Sequence, residues 1–220
     1  MTRLVLTCTP AHYATIARTP LFLSALRLAR SVNAVRACRD AMVPSSAVPD
    51  VHRPRQSRNM LLFFGATLFE ALLVLDNLGP ELGRLDSTKK HLAPLRHGHD
   101  WRELRDKILK PLRNQVVFHN DPGVLPRATG TLPFSVIDFA TRAPTDGSEP
   151  YYELADIALI PAAFAEGSYP TVAENLLRYW NDVIVYAGYF CRAADEVLLE
   201  VATRLGFNWE STEIPPSTFL

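Results

Sequence analysis

The stretch Leu112–Gly123, LRNQVVFHNDPG, places several chemically active side chains around an apolar centre. Arg113 and Asn114 stand at its start, and His119 and Asp121 stand near its end. A guanidinium forks onto phosphate oxygens, an imidazole exchanges protons near neutral pH, and an amide orients a hydroxyl or phosphate oxygen. A nearby carboxylate can hold the imidazole. Together these groups suit cleavage of RNA by its own 2′-hydroxyl, a reaction that needs no metal ion.

The spacing of these residues restricts how they can meet. His119 lies six residues after Arg113, so on a straight α-helix the two side chains point roughly 120° apart. They reach one substrate only if His119 sits at a helix end or if two chains share the site. Pro122-Gly123 favours a helix end. A polar helix end without a catalytic role is the alternative interpretation, and spacing alone does not decide between the two.

Glu70 is the one charged residue in the apolar run Met60–Leu75. A carboxylate in apolar surroundings must be paired, hydrogen-bonded, protonated or close to water. Glu70 either holds Arg113 in the site, or pairs with a structural arginine or faces a solvent slot. We predict that its carboxylate lies within about 4 Å of a basic group, with Arg113 as the first partner.

The composition indicates one globular domain in a reducing compartment. The chain has 220 residues, of which 48% are hydrophobic and 21% charged, so wholesale disorder is excluded. Its three cysteines form neither a CxxC pair nor an even set, which argues against a disulfide framework and a zinc site and fits the cytosol.

The net charge of zero hides an asymmetry along the chain. Residues 1–58 carry nine arginines and two aspartates, whereas residues 143–200 carry ten acidic residues and two arginines. Such a distribution predicts an anion-binding face, or two regions that attract each other in the fold or across a dimer.

Two segments resemble targeting or membrane signals and are interpreted otherwise. The first 39 residues contain no acidic residue, but Arg27 and Arg30 fall on one side of an ideal helix and Arg36 and Arg39 on the other. This pattern predicts a helix of the fold instead of a transit peptide. The run Met60–Leu75 is about one turn short of a membrane span and contains a carboxylate, so it predicts a buried core helix. We therefore expect a cytoplasmic protein with no membrane partner.

Apolar periodicity and helix breakers predict an all-α fold, a bundle of four or five helices in a single domain over residues 1–220. The core helices fall within about 20–120, followed by a β-hairpin-like insertion at 124–150, C-terminal helices at 151–205 and a tail at 206–220. The predicted helices are 25–42, 60–78 capped by Asn59, 101–119 capped by Asp100, 151–160 and 171–205. Pro111 predicts a kink, and the last helix can break near Gly188.

The remaining segments of the N-terminal half are predicted as irregular structure. Residues 44–58, rich in proline, serine and arginine, predict an exposed loop, and residues 82–95 predict a short helix and a loop. His91, His97 and His99 fall in or beside the second segment, and their spacing is not that of a helical ligand pair. They predict a solvated loop without a metal ion, and no cofactor is implied elsewhere.

The sequence RNQVVFH follows LRDKILKP at the end of the predicted core helices and resembles the signature of the HEPN superfamily. That signature is an arginine, a polar residue directly after it, and a histidine after four to six intervening positions. Arg113, Asn114 and His119 occupy these positions, with five residues intervening. The Arg-Asn form with a downstream His-x-Asp is similar to HEPN proteins of bacterial abortive-infection and toxin systems.

This resemblance implies an all-α homodimer whose two motifs line a cleft between subunits, acting as a metal-independent ribonuclease. It assigns Arg113 to the phosphate in the transition state, His119 to proton transfer, and Asn114 to positioning both. A defence-system partner or antitoxin is also implied. In one toxin branch a tyrosine two residues after the histidine accepts a nucleotide from the antitoxin. Asp121 stands there in this chain, which argues against that form of control.

Three functions are consistent with the sequence. The first is a metal-independent endoribonuclease with Arg113, Asn114 and His119 as catalytic residues and Glu70 and Asp121 in support. The second is a non-catalytic HEPN domain that binds RNA or nucleotides or mediates dimerisation. The third is a structural helical protein whose polar residues only end a helix.

Overall fold

A computed structural model of the chain describes residues 2–42, 53–110, 112–117 and 172–213. More than four fifths of these residues are helical, which confirms the predicted all-α class. The predicted insertion at 124–150 and the predicted helix at 151–160 lie outside the described residues. The described elements, in chain order, are β1 Thr2–Thr7, α1 Pro10–Ile16, α2 Pro20–Ala41, α3 Arg53–Asp76, α4 Pro80–Gly83, π1 Thr88–Leu92, α5 Ala93–His97, α6 His99–Glu103, π2 Leu104–Leu109, π3 Leu112–Val117, α7 Val172–Arg204 and β2 Asn208–Glu213.

Helices α1 and α2 begin with the same N-capping arrangement. Thr9 and Thr19 stand before each helix with extended backbone, and their hydroxyl oxygens accept hydrogen bonds from the backbone N–H groups of His12 and Phe22, both at 3.3 Å. A proline follows each threonine at the first helical position, where its missing N–H is not needed. Helix α2 therefore begins at Pro20 instead of after it, five residues earlier than predicted.

Helices α2, α3 and α7 build the core. Helix α2 packs against both of the others, and fully buried side chains from all three meet between them, among them Leu28, Phe64, Leu68, Phe190 and Val197. Among the described residues, α3 is the one helix long and apolar enough to cross a membrane, over Asn59–Asp76. However, 56% of that stretch is buried within the fold, as in the core helix of a soluble protein.

Several predicted boundaries are wrong. Asn59 does not cap α3, because the helix begins six residues earlier at Arg53, inside the segment predicted as a loop. Asp100 does not cap α6 either: the residue before the helix is Gly98, and Asp100 lies in the first turn. Gly188 does not break α7, which runs uninterrupted through it. Local signals of this kind are weak and do not fix a helix boundary by themselves.

The helical structure on both sides of Pro111 departs from α geometry. The residues of π2 and π3 follow π-helical geometry, in which the chain is wound more widely than in an α-helix. A proline removes a backbone donor and crowds the preceding turn, so the irregularity predicted around residue 111 is present in its neighbours. The buried side chains of Trp101, Leu104, Leu109 and Leu112 keep one face of this segment on the core.

The two ends of the described chain pair in an antiparallel ribbon, the only sheet among the described residues. Strand β1 pairs with β2 from Thr2 opposite Glu213 to Thr7 opposite Asn208. The prediction of a tail over 206–220 is therefore wrong for residues 208–213. The turn into β2 uses Gly206 at φ 71°, where Phe207 N–H donates to the carbonyl of Ala202 at 2.9 Å.

The charge asymmetry of the sequence meets across two of the core helices. Arg36 of α2 forms an ion pair with Asp195 of α7 at 2.5 Å, which joins the basic first third of the chain to its acidic last third. The predicted attraction between these regions is thus present within one chain at this position. Arg36 lies on the opposite side of α2 from Arg27 and Arg30, where it can reach α7.

Candidate functional site

The predicted ion pair between Glu70 and Arg113 is present. Arg113 Nε donates to Glu70 Oε1 at 2.7 Å, and Arg113 Nη1 donates to the side-chain oxygen of the adjacent Asn114 at 3.0 Å. A carboxylate on one edge of the guanidinium and an amide on the other fix the plane of the fork. The three residues singled out from the sequence therefore form one connected cluster, termed here the Arg113 cluster.

The cluster lies at the edge of the core and is partly open to water. The exposed fraction is 29% for the Arg113 side chain and 44% for the Glu70 side chain. Glu70 is thus less deeply buried than its apolar sequence context suggested. Because water screens the attraction at this exposure, the ion pair is better suited to orienting Arg113 than to stabilising the fold.

Segment π3 is anchored next to Arg113 by the buried side chain of Leu112. Leu112 is 1% exposed and packs against α3, whose residue Glu70 receives the guanidinium. The side chains of Leu112 and Arg113 thus both tie this turn to α3. The angular estimate from the sequence assumed α geometry, whereas Arg113 stands in a π-helical turn.

Beneath this anchor, Gly65 allows an unusually close approach of Tyr179. A Cβ atom at Gly65 would lie 1.8 Å from the phenol oxygen of Tyr179 and 3.2 Å from Leu112 Cδ2. The Tyr179 hydroxyl donates to the carbonyl of Leu61 at 3.2 Å, and the residue is fully buried, which raises the pKa of its phenol well above the usual range. Gly65 therefore provides the space in which α7 and π3 both reach α3.

Neither Gly65 nor Tyr179 was identified from the sequence. Gly65 lies within the apolar run that predicted a core helix, and a glycine in a helix usually lowers its stability. Its presence in the run could have indicated the contact, because a glycine within a core helix often marks a close packing contact. The residue that fills the space is more than a hundred positions away, and the sequence does not specify it.

His119 and Asp121 lie outside the described residues. The proton-transfer role of His119 and the supporting role of Asp121 remain predictions. Arg113, Asn114 and Glu70 are the part of the predicted site that the structure brings together.

The three histidines that were predicted to lie in a solvated loop are in helical elements. His91 lies in π1, His97 ends α5 and His99 begins α6, so the prediction of a solvated loop is wrong. Within the described part of the chain, no three His, Cys, Asp or Glu side chains converge in a way that would hold a metal ion.

A second charged cluster, which the sequence did not indicate, ties the end of α3 to the following helices. Asp76 accepts from Arg105 Nη1 at 3.0 Å and lies 3.4 Å from Arg96 Nε. Arg105 also binds Asp106, and this hydrogen bond raises the pKa of Arg105 and lowers the pKa of Asp106. We term this group the Asp76 cluster.

A third group of charges lies between α6 and α7 and includes residues of both helices. Burial raises the pKa of Asp182, and the ion pair with Arg178 at 3.3 Å only partly offsets this effect. Asp100 and Glu103 of α6 add negative charge nearby and raise it further. Trp101 packs on Tyr186 beside them, with ring centroids 4.8 Å apart. This contact joins α6 to α7 without adding a polar cleft.

Comparisons of the chain with protein families, with curated proteins and with solved structures find no match.

Proposed function

We propose that the chain is a metal-independent endoribonuclease of the HEPN type, acting as a homodimer in the cytoplasm with a toxin or phage-defence role. The observation that carries the proposal is the Arg113 cluster. A guanidinium held by Glu70 and Asn114 at a partly open edge of an all-α core is arranged to meet a phosphate. The resemblance of Arg113, Asn114 and His119 to the HEPN signature supports the same assignment.

The proposed reaction is an internal transesterification of RNA. The ribose 2′-oxygen attacks the adjacent phosphorus and loses its proton, while the bond from phosphorus to the 5′-oxygen breaks and that oxygen gains a proton. His119 handles one of these protons, and Arg113 stabilises the negative charge that builds on the non-bridging oxygens. The products are a 2′,3′-cyclic phosphate, which water can open to a 3′-phosphate, and a 5′-hydroxyl. No metal is needed because the substrate supplies the nucleophile.

In this mechanism Glu70 and Asn114 position Arg113 and do not act on the substrate directly. Glu70 holds Nε and Asn114 accepts from Nη1, so the orientation of the fork is set before RNA binds. Preorganised charge requires little rearrangement when the transition state forms, and this is the main advantage of such a site. The composite cleft of a dimer would bring two such clusters together.

The decisive experiment incubates single-stranded RNA with the purified chain in EDTA and identifies the product ends. We expect cleavage with 2′,3′-cyclic or 3′-phosphate ends, and a loss of about 10²–10⁴ in rate for His119→Ala. Arg96→Ala is the matched control for changes at Arg113. Like Arg113, Arg96 is a partly exposed arginine that pairs with a carboxylate of α3. Cleavage that requires magnesium, or that is unchanged in His119→Ala, would overturn the mechanism. Binding of RNA without cleavage would favour the non-catalytic HEPN alternative.

A further inference from the structure

Helix α2 presents an exposed face on which leucine and arginine side chains are interleaved. Leu23, Leu26, Arg27 and Arg30 fall within an arc of about 100° on the helix, opposite the residues that pack on the core. Leu23 is 47% exposed and Leu26 is 49% exposed. Two large aliphatic side chains thus remain in water beside two guanidinium groups.

Aromatic residues extend this face beyond α2. Tyr13 of α1 is 49% exposed, and its ring meets Phe22 edge-on with centroids 5.9 Å apart. Phe22 in turn stacks on Phe207, the residue directly before β2. Trp209 of that strand is the most exposed large apolar residue among those described, at 58%. We call the surface formed by Tyr13, Leu23, Leu26, Arg27 and Arg30 the α1–α2 face.

The segment of the chain that forms this face carries only positive charges. Six arginines and no acidic residue precede Asp40 in the sequence. Arg18, Arg27 and Arg30 are exposed, and no carboxylate among the described residues forms an ion pair with them. Arg36, by contrast, is turned towards Asp195 of α7. Arg36 and Arg39 therefore have carboxylate partners, Asp195 and the adjacent Asp40, whereas Arg18, Arg27 and Arg30 have none among the described residues.

The exposed apolar residues of α7 have a different setting. Val185, Tyr189 and Leu199 are exposed to similar degrees, but Arg192 lies over the Tyr189 ring and Glu196 stands on the same side of the helix. Both signs of charge accompany that surface. Exposure alone thus does not distinguish the α1–α2 face, whereas the lack of any acidic residue within the described stretch of α1 and α2 that forms it does.

We infer that the α1–α2 face binds peripherally to an anionic membrane surface. Arginines reach lipid phosphates while leucine and tyrosine side chains enter the boundary between headgroups and acyl chains. Tyrosine and tryptophan favour the same depth. A second copy of the face would oppose arginine with arginine, and single-stranded RNA would leave Leu23 and Leu26 in water. This inference does not depend on the proposed ribonuclease activity, and it changes the sequence-based expectation of no membrane partner, which considered spanning segments.

The test is flotation of the full chain with vesicles of phosphatidylcholine, with and without phosphatidylserine. We expect binding only to the anionic vesicles, with weakening as salt concentration rises. Arg27→Gln with Arg30→Gln should lower the partition coefficient about 25-fold, since each charge contributes about fivefold at such a surface. Leu23→Ala with Leu26→Ala should also lower it, and should do so at every salt concentration.

Val185→Ala with Leu199→Ala is the matched control, since both residues are exposed apolar side chains on α7, and it should bind like the parent chain. Circular dichroism checks that each variant is folded. Equal binding to neutral vesicles, no binding to either kind, or an equal loss in the α7 control would overturn the inference. So would a result in which Arg27 and Arg30 are needed to retain single-stranded RNA but not vesicles, or in which Leu23 and Leu26 are needed for self-association.

Discussion

Two charged clusters connect helix α3 to the residues of α5, π2 and π3. Both consist of arginine–carboxylate ion pairs, but their roles differ. In the Asp76 cluster one carboxylate lies between two arginines, and one of these, Arg105, also binds Asp106. In the Arg113 cluster the carboxylate of Glu70 accepts from Arg113, which also donates to the neighbouring amide of Asn114. The first cluster connects three segments, whereas the second orients a single guanidinium.

Their positions on α3 explain this difference. Asp76 is the last residue of the helix, where cations stabilise the terminal carbonyl groups, and Arg96 also approaches the Asp76 carbonyl at 3.4 Å. Glu70 lies more than a turn earlier, beside the π-helical turn that Leu112 anchors. Only 19% of the Arg105 side chain is exposed, compared with 29% of Arg113. We therefore assign the Asp76 cluster mainly to the fold and propose that the Arg113 cluster is the one that acts on a ligand.

The largest expected effect separates the two clusters by activity. Arg113→Ala should lower the rate of RNA cleavage about 10²–10³-fold, the usual loss when one preorganised donor to a developing oxyanion is removed. Arg113→Lys should restore only part of the rate, because a point charge does not reproduce the planar fork. Single-turnover cleavage assays with Arg96→Ala as the control measure this. An Arg96→Ala variant as slow as Arg113→Ala would remove the distinction.

The next effect concerns the packing beneath the Arg113 cluster. Gly65→Ala should lower the free energy of unfolding by about 3 kcal/mol, because its methyl group would overlap the Tyr179 hydroxyl. Tyr179→Phe alone should cost about 1 kcal/mol through the lost hydrogen bond to Leu61. Combining the two changes should cost less than the sum of the single losses, since removing the hydroxyl relieves part of the overlap. Urea denaturation measures all three variants, and strict additivity would show that this contact does not limit the packing.

The parts of this arrangement that could be predicted from the sequence are local in character. The apolar run Met60–Leu75 predicted a core helix, and its one charge, Glu70, needed a partner, which the signature around Arg113 supplied. What could not be predicted depends on distant residues. Tyr179 fills the space above Gly65 from another helix, and the two strands of the ribbon are separated by 200 residues of chain, so neither has a local signal.

The boundary errors have a similar physical origin. Asn59 is a good helix-capping residue, yet the preceding arginines and glutamine also favour helix, and α3 extends back to Arg53. Gly188 lowers helix propensity, but it lies within a long amphipathic helix with open space beside it, so nothing forces a break. Local propensity is worth a few tenths of a kcal/mol per residue, which continuous packing along α7 readily exceeds.

A third comparison concerns stability. Arg105→Ala should lower the free energy of unfolding by about 1–2 kcal/mol, because it removes two ion pairs and the packing of a side chain that is only 19% exposed, although Asp76 keeps Arg96. Glu70→Gln should lower it by less than about 1 kcal/mol, because the ion pair it weakens is open to solvent. Thermal denaturation of the two variants at low salt measures the difference. A larger loss for Glu70→Gln would assign the structural role to the Arg113 cluster instead.

The smallest expected effect is the pH dependence of the Asp76 cluster, and its sign can be worked out. The hydrogen bond from Arg105 lowers the pKa of Asp106 in the folded state, so the stabilisation is present above the unfolded-state pKa of about 3.9 and is lost as pH falls below it. Asp106→Asn should therefore be less stable than the parent chain at neutral pH, and the two should converge in acid.

Asp182 provides a control of opposite sign, since burial raises its pKa and its contribution is lost as pH rises through the folded-state value. Asp182→Asn should accordingly gain stability relative to the parent as pH rises. Urea denaturation between acid and neutral pH measures both slopes, and slopes of the same sign would contradict the assignment of Asp106 to Arg105.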